Sequence, residues 1–141
     1  MIRVYVAGPF NGRNVQETQR NIRRGLHYSD MVMNEGMSPD GHWEFWDRGI
    51  RQAIKNMYEM NHAWLAVADV MLVVKGWEDC QETVREINLA KGVDIPIFYS
   101  FDELIRWRNE RSSREKERDG TDSPCGNESS KALDEQQVQE K

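Results

Sequence analysis

Long hydrophobic runs are missing from this 141-residue chain. No stretch approaches the ~20 apolar residues that a membrane-spanning helix needs, so no membrane partner is expected. Basic charge is also short: 19 Lys and Arg stand against 24 Asp and Glu, a formal charge of −5. That balance argues against broad electrostatic binding to nucleic acid or an anionic lipid surface, while leaving room for a small, locally basic pocket. Cysteine is reduced to Cys80 and Cys125, which build no disulfide framework and read as free thiols in a reducing compartment. The three histidines, His27, His42 and His62, are scattered without metal-ligand spacing, and no metal is expected. Neither G-x-G-x-x-G nor the P-loop pattern occurs. No basic, apolar and small-residue succession marks a leader, and the first residues read as a core strand, so the expected location is the cytoplasm. No internal repeat is visible.

What the chain does have is an alternation of strand-like and helix-like segments. "IRVYVAGPF" is a short run of β-branched and aromatic residues stopped by Gly8-Pro9, a strand followed by a tight loop. Asn11 to Asn14 offer caps for a helix over 15–34, ended near Gly36. "GMSPDGHWEFWDRG" is loop-like. Ile54, Met57, Tyr58, Asn61 and Leu65 recur at three-to-four spacing, which predicts a helix over 50–66 with Asn61 inside its apolar face. "ADVMLVVKG" is a continuous apolar run, a strand buried on both faces. A helix over 80–91, the short strand "DIPIFYS" and a helix opening at "FDELIRWRNE" follow. The pattern predicts a three-layer α/β fold of the Rossmann or flavodoxin type: a mainly parallel sheet of four to five strands with helices on both faces.

From Asn109 onward only Cys125, Ala132, Leu133 and Val138 are clearly apolar. Such a composition cannot bury enough surface to offset the entropy of ordering. The expected organisation is therefore a folded domain over 1–109 and a disordered charged tail over 110–141.

In an open parallel sheet, ligands collect outside the carboxyl ends of the strands. Three segments converge on that edge: "AGPFNGR" after the first strand, "DGHWEFW", and "KGWEDCQE" after the central strand. Each has a plain structural alternative. Gly8-Pro9 can simply turn the chain. Trp43, Phe45 and Trp46 can be core or interface residues instead of a platform for a base, and Asn61 can bond a backbone carbonyl. Glu82 and Glu86, one helical turn apart, are the sharpest feature. On a helical wheel Glu86 falls between Leu89 and Ala90, so it interrupts an apolar stripe. Either the pair is a solvated face softened by Arg85, or it faces a pocket where repulsion and desolvation raise at least one pKa.

Taken together, "VYVAGPF", "WEFW", "WLAVADVMLVVKGWED" and an acidic residue followed by "INLAKGVDIPI" resemble the nucleoside 2-deoxyribosyltransferase superfamily over roughly 1–101. That group includes 2'-deoxynucleoside 5'-monophosphate N-glycosidases and short phage and bacterial relatives of unassigned function. The resemblance implies that Glu86 is a nucleophile attacking C1' of a nucleoside or nucleotide, with transfer of the sugar to water or to another base, as in retaining glycosidases. It implies that Tyr5 orients that carboxylate or a sugar oxygen. Gly8, Pro9, Phe10 and Asn11 would line the sugar side, and His42 and Trp43 are the candidates for the base side. It further implies a homodimer or larger homo-oligomer and no organic cofactor.

Three positions depart from the family pattern. Asn61 replaces an aspartate thought to help protonate or hold the leaving base; an amide can hold a base but cannot deliver a proton as an acid. Cys80 replaces a serine or aspartate. Glu82 replaces a glycine at the helix start, where a carboxylate repels a 5'-phosphate; a neutral nucleoside or another ribosyl ligand is easier to reconcile. Asp69 also matches the family and is expected to serve capping and junction geometry. The competing expectation is a non-catalytic nucleotide-binding or partner-binding protein on the same fold.

Overall fold

The computed structural model describes residues 1–40, 43 and 54–120, with backbone alone at 54–57. His42, Phe45, Trp46, the expected helix start at 50–53, Cys125 and residues 121–141 lie outside the described residues. The chain divides into two units, Met1–Arg108 and Asn109–Lys141.

In the first unit, β1 (Arg3–Ala7) leads to α1 (Val15–Asn34) and β2 (Ser38–Pro39). After α2 (Ile54–Ala66) come β3 (Val70–Val73), a single 3₁₀ turn (Trp77–Asp79) and α3 (Gln81–Gly92), then β4 (Ile97–Phe98) and α4 (Phe101–Asp119). The four strands form one sheet in the order β2-β1-β3-β4, all parallel. The chain steps from β1 outward to β2, then crosses back to the other side of β1 to enter β3. The strand order therefore reverses between β1 and β3, the topological switch point where open α/β sheets bind ligands.

The two central strands are buried on both faces because every residue from Val4 to Ala7 and from Val70 to Val73 is inside. Side-chain alternation divides them between two cores. Val4, Val6, Val70 and Leu72 join Val32 of α1, Leu104 of α4 and Trp43 on one face. Tyr5, Ala7, Met71 and Val73 join Leu65 of α2 and Ile87 and Ala90 of α3 on the other. The three-layer expectation is met, with four strands among the described residues.

Local chemistry explains the boundaries. Asn14 caps α1 by accepting from the Glu17 amide at 2.9 Å, while the Glu17 carboxylate accepts from the Arg13 amide at 2.9 Å. Gly36, with φ of 73°, closes the helix as expected. Asp69 clamps the junction before β3: it accepts from the Arg3 amide at 2.8 Å and from the Arg3 guanidinium at 3.1 and 3.0 Å. Its own amide donates to the Arg3 carbonyl at 2.9 Å. Gly8 is required by close approach, since a Cβ there would sit 2.7 Å from Val74 Cβ at the end of β3.

Two expectations are corrected. Ser38–Pro39, read from the sequence as loop, forms β2; proline is tolerated because β2 is an edge strand. The tail expected to be disordered from residue 110 is helical through Asp119. Within the second unit that helix has no apolar face; Arg111 pairs with Glu115 at 3.1 Å and Arg114 with Glu110 at 3.7 Å, the i,i+4 contacts that support an exposed helix. No helix among the described residues is long and apolar enough to cross a membrane.

Candidate active site

The polar centre of the fold lies on the α2–α3 face of the sheet. Tyr5 projects from the middle of β1 because it has the parity of Ala7, opposite to Val4 and Val6. Glu86 projects from the second turn of α3, on the same stripe as Thr83, Ile87 and Ala90. The Tyr5 hydroxyl donates to Glu86 Oε1 at 2.8 Å. Both groups are buried, Glu86 retaining 9% of its exposure.

Burial sets the chemistry of this pair. Desolvation disfavours the carboxylate and lifts the Glu86 pKa to about 7; the Tyr5 hydrogen bond opposes that lift and the charge of Glu82 adds to it. Burial likewise pushes the Tyr5 phenol well above its ordinary value, with the Glu86 charge and hydrogen bond adding. Tyr5 therefore remains a donor across the physiological range, and its bond occupies one carboxylate oxygen.

The two carboxylates of α3 part company. Glu82 accepts from Arg85 at 2.9 Å, in an exposed pair, so the solvated-face reading holds for Glu82. Glu86 is the member turned inward.

At the carboxyl ends of β1 and β3, where α3 begins, lies a cleft of about 590 Å³. It brings together Pro9, Asn11, Cys80 and Glu82 of the residues singled out from the sequence. Its other charged walls are Arg13, Glu17, Arg20, Arg24 and Asp79, so three arginines face three carboxylates and the formal charges cancel. The arginines escaped the sequence reading. Their signal was the four-residue spacing of Arg20 and Arg24 in the first half of α1, which puts both on one side of the helix end nearest the sheet edge. Arg24 donates to the Lys75 carbonyl at 3.2 Å, tying α1 to the end of β3.

Other expected site residues lie elsewhere. The cleft lining stops at Glu82, one turn short of Glu86, and does not include Tyr5. Gly8 packs against Val74. Phe10 packs on the α1-side core, and its carbonyl accepts from Asn21 at 3.3 Å. Trp43, expected on the base side, is buried on the opposite face of the sheet from Glu86. Its indole N–H donates to the Val6 carbonyl at 2.8 Å, and its ring rests on Gly25, where any Cβ would collide with it. The core alternative describes this tryptophan.

Asn61 is buried in α2 with a side-chain oxygen that has no hydrogen-bond partner among the described residues. Thr83 of α3, one turn before Glu86, is fully buried and its hydroxyl oxygen is equally unpartnered. Thr83 was not visible as a site residue in the sequence, because a threonine near a helix start has ordinary explanations. Among the described residues no group of three His, Cys, Asp or Glu side chains is arranged to hold a metal ion. No protein-family model, curated protein or solved structure matches the chain.

Proposed function

We propose that the protein cleaves or exchanges the N-glycosidic bond of a nucleoside or nucleotide, with Glu86 as nucleophile. The observation that carries this reading is the buried Tyr5–Glu86 hydrogen bond of 2.8 Å, on the helix whose first turn, at Glu82, lines a cleft at the sheet's switch point. The resemblance to nucleoside 2-deoxyribosyltransferases supplies the reaction class and the 2-deoxyribosyl group as the sugar it implies.

In this mechanism the Tyr5 hydroxyl holds Oε1 of Glu86 and leaves Oε2 to attack C1'. A C1'–O ester bond forms as the C1'–N bond breaks, and the bonding pair leaves with the base. Charge in the transition state spreads over C1' and the ring oxygen, which a nearby carboxylate stabilises. Asn61 can hold the base or sugar but cannot act as an acid, so the departing nitrogen takes its proton from water. Water or a second base then attacks C1', the C1'–O ester bond breaks to release the Glu86 carboxylate, and the attacking group gives its proton to the hydroxide left by the first step. The attacking form is the ionised one, so turnover rises with pH through the Glu86 pKa of about 7.

A second reading, a non-catalytic nucleotide-binding protein on the same fold, is favoured by Asn61 and by a cleft whose lining excludes Glu86. The two are separated by offering the protein deoxynucleosides, ribonucleosides and their 5'-monophosphates and following released base by chromatography. The catalytic reading predicts release that Glu86→Gln reduces by on the order of 10³-fold or more. Release that survives the substitution contradicts it, and saturable binding without release from any compound selects the second reading.

A further inference from the structure

The unpartnered oxygens of Asn61 and Thr83 require a physical account. Each belongs to a side chain at least nine-tenths buried, at 7% and 0% exposure. Buried polar atoms in folded proteins nearly always find partners, because an unmet one forfeits the hydration it had in the unfolded chain. Both atoms are also sealed, so no ordered water has room beside them. They lie on two helices that pack together, α2 and α3, and both helices turn these faces toward the core of Tyr5, Leu65 and Ile87.

Leu65 and Ile87 fix which stretches of the helices face one another, since both sit in one core with Tyr5. Asn61 lies one turn before Leu65 on α2, and Thr83 one turn before Ile87 on α3. The Asn61–Leu65 stretch therefore lies along the Thr83–Ile87 stretch. The nucleophile, the two orphan oxygens and the end of the cleft at Glu82 share one seam. Closed, that seam leaves Glu86 nearly inaccessible and both oxygens unmet. Opened, it extends the cleft from Glu82 to Glu86 and exposes both oxygens to a ligand.

We propose that the α2–α3 seam opens to form a sugar subsite in which Asn61 and Thr83 bind the adjacent 2'- and 3'-hydroxyls of a ribosyl group. This rests on the N-glycosidic reading, and it changes the sugar that the resemblance implies. The Asn61 oxygen accepts and the Thr83 hydroxyl can donate or accept, so the two match a pair of neighbouring hydroxyls, and a vicinal diol supplies both. A 2-deoxyribosyl group lacks one of them and leaves one of the two oxygens buried and unpaired, which is how sites built around a hydroxyl reject the analogue without it. The orphan oxygens also make opening less costly, since the closed state gains no hydrogen bond from either.

The test is binding of the four common ribonucleosides and their 2'-deoxy and 3'-deoxy counterparts, measured by calorimetry on the full chain carrying Glu86→Gln to prevent turnover. Ribonucleosides should bind about tenfold tighter than either deoxy form. Adding Thr83→Val, which keeps the shape and removes the hydroxyl, should erase most of that preference. In the free protein the same change should raise the melting temperature by a few degrees, because an unsatisfied hydroxyl is removed. Equal or tighter binding of 2'-deoxynucleosides, a ribosyl preference that survives Thr83→Val, a lowered melting temperature, or no binding of any nucleoside would overturn the proposal. If Thr83→Val does not fold, the comparison of ribosyl and deoxy ligands decides alone. A ribosyl preference in binding with no base release from the wild type sinks the catalytic reading and leaves this one standing; base release without the preference does the reverse.

Discussion

The two faces of the sheet treat buried polar atoms differently. On the α1–α4 face the polar groups inside are satisfied: the Trp43 indole donates to the Val6 carbonyl, and the Ser29 hydroxyl donates to the Gly25 carbonyl at 3.1 Å. On the α2–α3 face a tyrosine is bonded to a carboxylate, and two further oxygens have no partner among the described residues. The first face is built as a structural core. The second accepts a local cost in stability, and unmet polar groups of that kind gather where a protein meets a ligand.

Substitutions on the two faces should separate accordingly. The largest effect on stability is expected from Trp43→Ala, which removes a buried ring, empties its seat on Gly25 and unpairs the Val6 carbonyl. Chemical denaturation should show a loss of about 3–5 kcal/mol, with base release per folded molecule unchanged. A loss of release beyond the loss of folded protein would mean that the faces are not separable.

Next in size is the pH dependence contributed by Glu86. Its folded pKa of about 7 lies above the ordinary value of 4.5, so between these limits the folded state binds more protons than the unfolded one. Stability from this group is fully present below about 4.5 and is lost as pH rises through about 7. The rise from 4.5 to about 7 corresponds to on the order of 3 kcal/mol. Denaturation curves at pH 5 and pH 8 should show that decline in the wild type and a flatter dependence in Glu86→Gln. Identical profiles would mean that Glu86 titrates as a solvated carboxylate. The smallest effect on stability is the few-degree gain expected from Thr83→Val.

Much of this organisation was legible in the sequence. The apolar run before Lys75 required a strand covered on both faces, and Asn14 and Gly36 marked the ends of α1. The edge strand at Ser38–Pro39 was not legible, because two residues pair only through the neighbouring β1 and carry no period of their own. Helix beyond Glu110 was missed because opposite charges four apart, not an apolar stripe, support it. At the site, spacing exposed Glu86 as an anomaly but left both readings of the Glu82–Glu86 pair open. Tyr5 and Glu86 are 81 positions apart, and only the resemblance brought them together in advance. Which face Trp43 occupies, and which oxygens lack partners, depend on contacts between distant elements that no local pattern encodes.

The most direct test of a nucleophilic Glu86 is to quench the protein during turnover and map its peptides by mass spectrometry. The account predicts a pentosyl ester on Glu86 that forms with base release and is absent from Glu86→Gln. Base released while Glu86 stays unmodified, with the substituted protein turning over at the wild-type rate, would contradict it.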